Sequence, residues 1–243
     1  MFHEGLLIGQ KLVFFILSLT FVVRYASPDL ITAYGAKWTN FTDVVIRTHI
    51  ISEIGGVGSK FTCVTLCLEN KACMSVFYRH QLRMCQLHDV LFMSPQDGDL
   101  EIGTLYFTVV TGGCPSTHAH NRILNMCYEV RFNRLNYADG VADCNSRGDH
   151  FIVIDSAEKQ AHMLQQLTAS SEAPVKKYLI DGSNIDGTWR FHDGRPMTFF
   201  DWLPNFPKNI SGQNSLVADP EEAFLWGDKS GALPKRYICE RDI

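Results

Sequence analysis

The chain has 243 residues, a formal net charge of −4 and a hydrophobic fraction of 46%. That length has room for one or two domains, and the apolar share is ordinary for a globular protein. With a pI near 6.1 and no run of Lys or Arg, the balance argues against a nucleic-acid partner.

Lys11 precedes a mostly apolar stretch over residues 12–23. Its length fits the about 7–15 residues of a secretory signal core and is short for a membrane span. The reading is a signal peptide over residues 1–26, cleaved near Ala26. Arg24 fits such a cleavage site poorly, and an uncleaved signal anchor is the alternative. No second long apolar run follows, so the mature chain is expected to be secreted and extracellular, with no membrane contact after signal removal. Eight cysteines in that setting read as four disulfides. The intervening gaps are three, five and eleven residues in the first four, and twelve, sixteen and ninety-four in the last four. No Cys-x-x-Cys pair occurs, so a structural zinc site is not expected. The sequons Asn40-Phe41-Thr42 and Asn209-Ile210-Ser211 make Asn40 and Asn209 candidate glycosylation sites.

Residues 27–43 read as a connector, broken by Ser27-Pro28 and Gly35, with Trp38 covering the edge of the next domain. Residues 44–110 read as a small first domain. Val44, Ile46, Thr48 and Ile50 alternate with a more polar set, predicting one half-buried strand over 44–51. Gly55-Gly56-Val57-Gly58 lacks the spacing of a phosphate-cradling loop and reads as a turn. Thr62 is the expected cap of a helix beginning at Cys63, with Cys67 one turn later on the same face. Strands follow over 74–78, 84–87 and 103–110. The run Cys73-Met74-Ser75-Val76-Phe77-Tyr78 with Cys85-Gln86-Leu87, and the spacing of the four cysteines, resemble a PAN/apple domain. That resemblance implies Cys63–Cys85 and Cys67–Cys73 bridges; four cysteines alone allow three connectivities. The outer terminal bridge of many PAN/apple domains has no cysteines here.

Residues 111–113 read as a linker, and residues 114–243 as a second domain. His118 and His120 are expected to be exposed loop histidines, since no third metal ligand lies near them in sequence. Asn136 caps a predicted helix carrying Tyr137, Ala138, Val141, Ala142 and Cys144, which Gly148 stops. A buried strand is predicted over 151–154. Asp155 and Glu158 form a capping box for a helix reaching about Leu167. Residues 168–175 are loop. In residues 178–202, two Asp-Gly turns bracket an aromatic strand, Trp189 to Phe191.

These features together, with the ending Tyr237-Ile238-Cys239-Glu240, resemble a C-type lectin-like domain. The resemblance implies an α+β, disulfide-stapled C-type lectin-like fold with two helices and two small antiparallel sheets, preceded here by the small PAN/apple-like α+β domain. It implies Cys114–Cys127 and Cys144–Cys239 bridges and a long loop after Trp202 that carries any ligand site. Trp189, Trp202 and Trp226 are expected mainly in the core.

Sugar-binding members of that family use calcium, which needs six to eight oxygen ligands. They draw these from a Glu-Pro-Asn or Gln-Pro-Asp triplet, a downstream Glu, and a Trp-Asn-Asp triplet. The corresponding positions here are Phe206-Pro207-Lys208, Gln213 and Trp226-Gly227-Asp228. Only Asp228 keeps a carboxylate, while Gln213 offers a neutral oxygen. Lys208 would place an ammonium near the ion, costing about 2 kcal/mol at 4 Å even in a water-like dielectric. The family's inner disulfide falls on Ser215 and Ser230, so both of its cysteines are gone and the loop is expected to be less braced. Asp228 is expected at the surface or in a turn.

The functional expectation is a secreted binding protein, not an enzyme, without cofactor or calcium. It would recognise a glycan or an extracellular protein through Trp202, Asn205, Lys208, Gln213 and Asp228. The alternative is a matrix or structural component in which both domains make only protein contacts, self-association included. No nucleophile elbow, metal-ligand motif or P-loop points to catalysis.

Overall fold

The computed structural model describes residues 35–170, 176–184 and 186–243 in full, and between residues 6 and 34 the backbone of short strands. The expected signal peptide and its cleavage site lie outside the fully described residues. The chain divides into two compact units, residues 1–127 with Ile243, and residues 128–242. The Cys114–Cys127 hairpin therefore clusters with the first unit.

The first unit is a seven-stranded sheet. Its strands are β1 (Val13–Leu17), β2 (Thr20–Arg24), β3 (Thr32–Lys37), β4 (Ile50–Ile54), β5 (Ser75–Arg79), β6 (Met84–His88) and β7 (Thr104–Thr111). Their order is β1-β2-β3-β7-β5-β6-β4. The expected connector thus contains a strand: β3 pairs with β7 from Lys37 opposite Phe107 to Ala33 opposite Thr111. Gly35 does not break it, because β7 supplies a long partner for its backbone. The expected single strand over 44–51 is also divided. Val44–Val45 pairs with Asp99–Leu100, and β4 begins only after His49, whose φ of 56° turns the chain. In β4 the inward set is Ile50, Ser52 and Ile54.

The centre of this sheet is buried on both faces, and Ser75 to Tyr78 of β5 are all buried. On one face Val76, Tyr78, Leu87, Phe107 and Val109 pack beneath helix α1 (Lys60–Glu69). On the other, Phe41, Phe77, Phe92 and Tyr106 form an aromatic cluster, with Phe77 and Tyr106 centroids 4.6 Å apart. The N-cap of α1 is Ser59, not Thr62: its hydroxyl accepts the Thr62 N–H at 3.2 Å. Ser59 holds the extended backbone a cap requires, while Thr62 is already helical. Bridges Cys63–Cys85 and Cys67–Cys73 pin the helix to β6 and to the entry of β5.

The last turn of α1 has an unusual cap. The Arg122 guanidinium, from the hairpin closed by Cys114–Cys127, donates to the carbonyls of Cys67, Leu68, Asn70 and Cys73 at 2.6–2.7 Å. Helix C-termini leave carbonyls without internal partners, and a cation there is favourable. His118 and His120 in the same hairpin are buried, contrary to the exposed placement expected. His120 Nδ1 accepts the Thr111 N–H at 3.0 Å, and burial pushes its pKa down to about 4. It is a neutral structural acceptor for the segment that leaves β7.

The second unit contains β8 (Met126–Leu135) from Tyr128 onward, α2 (Tyr137–Asn145), β9 (His150–Phe151), α3 (Ala157–Thr168), β10 (Tyr178–Asn184), β11 (Trp189–Arg190), β12 (Ser215–Asp219), β13 (Leu225–Lys229) and β14 (Lys235–Arg241). The sheet runs β8-β14-β10-β12-β13, with β9 on β14 and β11 on β10. β10 and β14 are parallel; β12 and β13 are an antiparallel hairpin. Asn136 caps α2 by accepting the Asp139 N–H at 2.9 Å, and Gly148, at φ 77°, lies just beyond its end. Gly140 lets α2 close on the core, since a Cβ there would lie 2.8 Å from the Phe151 ring. Cys144, Phe151, Leu179, Val217, Tyr237 and Cys239 form that core, and Cys144–Cys239 joins α2 to β14.

The structure departs from the expected local pattern at two places. The cap of α3 is Ser156, which accepts the Lys159 N–H at 3.3 Å; Asp155 instead pairs with Lys159 at 3.0 Å. The expected strand over 151–154 ends at Phe151. Residues 152–154 are buried, but their polar groups go to different partners: Ile152 N–H to the Ile238 carbonyl, and Val153 N–H to a Glu240 carboxylate oxygen at 2.8 Å.

Candidate functional site

The long segment after Trp202 meets the β12–β13 hairpin through one buried carboxylate. Asp228 sits in β13 with no exposed surface. Its Oδ1 accepts the Lys208 N–H and its Oδ2 the Asn209 N–H, each at 2.8 Å. This corrects the expected surface placement. A carboxylate can be buried when hydrogen bonds replace its water, and two backbone donors do so here. The segment lacking the inner disulfide is thereby tied to the hairpin. Ser215, at one cysteine-equivalent position, is buried in β12; the Ser230 hydroxyl accepts the Ala232 N–H.

Phe206 stands over Gly227. A Cβ on Gly227 would approach the ring to 3.1 Å. The ring therefore fills space beside β13 that an ordinary side chain at 227 would claim. The Phe206–Pro207 peptide is cis. Lys208 and Lys229 hold their ammonium groups 5.0 and 4.4 Å from the Phe206 centroid, a cation–π arrangement. Asn205, exposed and at φ 67°, forms the turn that lets the Phe206 N–H reach the Leu203 carbonyl at 3.0 Å. Gln213 is partly buried, and its Oε1 has no hydrogen-bond partner among the described residues.

The tryptophans brace the base of this loop. Trp226 is fully buried, and its indole N–H donates to Gln160 Oε1 at 3.0 Å. The Gln160 amide in turn donates to the Phe224 carbonyl at 2.8 Å, so one α3 side chain holds both ends of a short turn. Trp189 is buried against Trp202 at 5.4 Å. Trp202 is only half-buried and stacks on the exposed Phe200 ring at 5.5 Å with an 11° tilt. Of the sequence candidates, Lys208 and Asp228 are brought into direct contact, Trp202 and Asn205 flank them, and Gln213 lies at the far end of the loop.

Sequence reasoning missed three further cations at this end of the molecule. Lys229 follows Asp228 and shares Phe206 with Lys208. Lys177 precedes β10 and reaches Asp219 at 2.6 Å. Lys235 opens β14. Alternation within β13 could have placed Lys229 beside Phe206; the parallel pairing that sets Lys177 next to Lys235 has no local signal. A separate cluster was also missed. Buried Asp181 accepts the His192 backbone N–H and pairs with His192 Nδ1 at 2.7 Å, and His192 stacks on His150 at 4.0 Å. Burial raises the Asp181 carboxyl above its usual range, against the pull of His192. It fixes the turn after β11.

The PAN domain profile matches residues 37–108, and the lectin C-type domain profile matches residues 133–241. Perlucin of Haliotis laevigata is 25% identical over 134 residues, covering 54% of this chain and 84% of perlucin. C-type mannose receptor 2 of Homo sapiens is 21% identical over 136 residues, 55% of this chain but 9% of the receptor. Among solved structures, a calcium-independent type II antifreeze protein aligns at TM-score 0.46 and 21% identity, over 53% of this chain and 94% of that one. The chain therefore joins a PAN domain at residues 37–108 to a C-type lectin-like domain at residues 133–241, an α+β architecture stapled by four disulfides.

Proposed function

We propose that the protein is a secreted binding protein whose C-type lectin-like domain takes a carbohydrate or protein ligand without calcium, and that it catalyses no reaction. The observation that carries the calcium-free reading is the state of Asp228. Both of its oxygens are occupied by backbone N–H groups, and the carboxylate is sealed from solvent. The oxygens a calcium site would need around it are replaced by the Phe206 ring, the bare Gly227 and two ammonium groups. That donor set does not fit a hard divalent cation.

A ligand face remains. The half-buried Trp202 and exposed Phe200 offer an aromatic surface, and the loop beside them is tied to β13 through Asp228. Perlucin, the mannose receptor and the other C-type lectin relatives support binding as the domain's work. The eight cysteines, all paired, and the sequons at Asn40 and Asn209 support an oxidising, extracellular setting.

The test is a glycan and protein-ligand screen on the full chain, run in calcium and in EDTA, with calorimetry of calcium itself. Equal ligand signals in both buffers and no calcium heat are expected. A signal abolished by EDTA would overturn the calcium-free reading.

A further inference from the structure

The chain as a whole is acidic, yet one end of its lectin-like domain gathers cations. Lys208 and Lys229 flank one Phe206 ring. Lys177 and Lys235 directly precede Tyr178 and Arg236, which pair across the parallel strands β10 and β14. Those two lysines therefore enter the sheet side by side. Arg134 lies next to them, its guanidinium donating to the Pro234 carbonyl at 2.8 Å. The two carboxylates that act on Lys229 already have partners: Asp219 pairs with Lys177, and Asp228 accepts two backbone N–H groups inside the domain.

These cations act on one another. Burial and then the Lys177 and Lys208 charges hold the Lys229 ammonium below its usual range, against Asp228 and Asp219. Burial, Arg134, Lys229 and Lys177 do the same to Lys235. Asp219 pairs directly with Lys177 alone, so the lysines outnumber the carboxylates that answer them, and an external anion would stabilise the excess charge. Four of the five are lysines, which act as compact point charges and not as planar forks. They suit sulfate and carboxylate groups spaced along a chain. The Phe206 ring between two of them supplies apolar surface for a sugar ring carrying such groups.

We propose that Lys208, Lys229, Lys177 and Lys235 form a binding face for a polyanionic saccharide, a sulfated or uronate-bearing glycan chain. The inference rests on the reading of this domain as a calcium-independent binding module and specifies its ligand class. Binding of this kind is salt-dependent, because each contact displaces counterions from the polyanion.

Heparin is the probe. The full chain is passed over immobilised heparin, and its affinity is measured across a salt series. Retention near physiological salt and steep release above it are expected, unchanged by EDTA. The K208E/K229E pair should weaken affinity at least tenfold, and K208Q/K229Q should weaken it less. The K71E/R83E pair makes the same change of net charge in the first unit and should stay within twofold. Circular dichroism confirms folding of each variant, and the Lys→Gln pair decides the matter if the Lys→Glu pair fails to fold. Equal losses for the K208E/K229E and K71E/R83E pairs would overturn the proposal, since only net charge would then matter. Equal or tighter binding to phosphatidylserine vesicles or to polyglutamate would overturn its saccharide class. Binding of neutral glycans or proteins with no heparin retention would overturn this proposal and leave the broader function standing. Failure of every ligand would overturn both.

Discussion

At the scale of single residues, two side chains have roles that their positions in sequence conceal. Asp228 reads as the last survivor of an ion-binding set, yet it holds two backbone N–H groups and touches no solvent. Asp228→Asn keeps one acceptor and turns an amide donor toward the other N–H. A loss of about 1–3 kcal/mol is expected, from one orphaned buried donor. Urea denaturation should show it, along with faster hydrogen exchange at the Lys208 and Asn209 amides. Unaltered exchange at both amides would remove Asp228 as the loop's anchor. Arg122 is the second. Burial pushes its pKa down, and four carbonyls share its guanidinium. Arg122→Lys keeps the charge but offers three donors from one point in place of a planar fork. It should cost roughly 1–3 kcal/mol, since a buried carbonyl left unpaired carries its desolvation penalty. A stability equal to wild type in the same denaturation assay would show that the cap is dispensable.

At the scale of elements, the bridges are not equivalent. Cys144–Cys239 spans 95 residues and Cys67–Cys73 spans 6. In the chain-entropy account the first stabilises by about 4–5 kcal/mol and the second by about 2. Replacing each pair with alanine should therefore lower stability about twice as much for the long closure, read as the shift in denaturation midpoint times slope. Equal losses would mean that local strain or residual unfolded structure dominates. Elements also show where sequence was legible. Helices α2 and α3 and the hairpin-rich centre were readable, because caps, apolar spacing and Asp-Gly turns are local signals. The strand β3 was not, since its partner β7 lies some seventy residues downstream and Gly35 argues locally against it. Caps slipped by one to three residues at Ser59 and Ser156, where two candidate acceptors stand close together. His118 and His120 were misplaced because burial in a loop depends on what packs over it. In the candidate site, the residue types at 206–208, 213 and 226–228 could be read by position. The gathering of Lys177, Lys208, Lys229 and Lys235 depends on strand pairing and could not.

At the scale of the whole molecule, acid should act through its interior histidines. Burial pushes His88, His120 and His162 down to about 4. Their unfolded forms take up protons near pH 6.5, whereas the folded forms stay neutral until about pH 4. The unfolded state therefore binds more protons in that window, and stability falls as pH drops through it. Each histidine contributes a slope of up to about 1.4 kcal/mol per pH unit. Asp181 and Glu240, whose carboxyls burial raises, act in the opposite sense, taking up protons earlier when folded. His162 meets the Tyr128 hydroxyl at 2.8 Å, so His162→Gln retains a polar partner without the titration. Thermal melts at pH 7 and pH 5 should show a smaller drop for that variant than for wild type. An identical drop would exclude His162 from the acid response.

Phe206 resting on Gly227 also links what each position can accept. An asparagine placed at 227 alone would have to push the aromatic ring aside. A carboxylate placed at 206 alone would give up that packing and both cation–π contacts, while one acid still makes no coordination shell. Each change is costly until the other has occurred. The two positions are therefore coupled: a side chain at 227 and loss of the ring at 206 should together cost less stability than the sum of the two single changes.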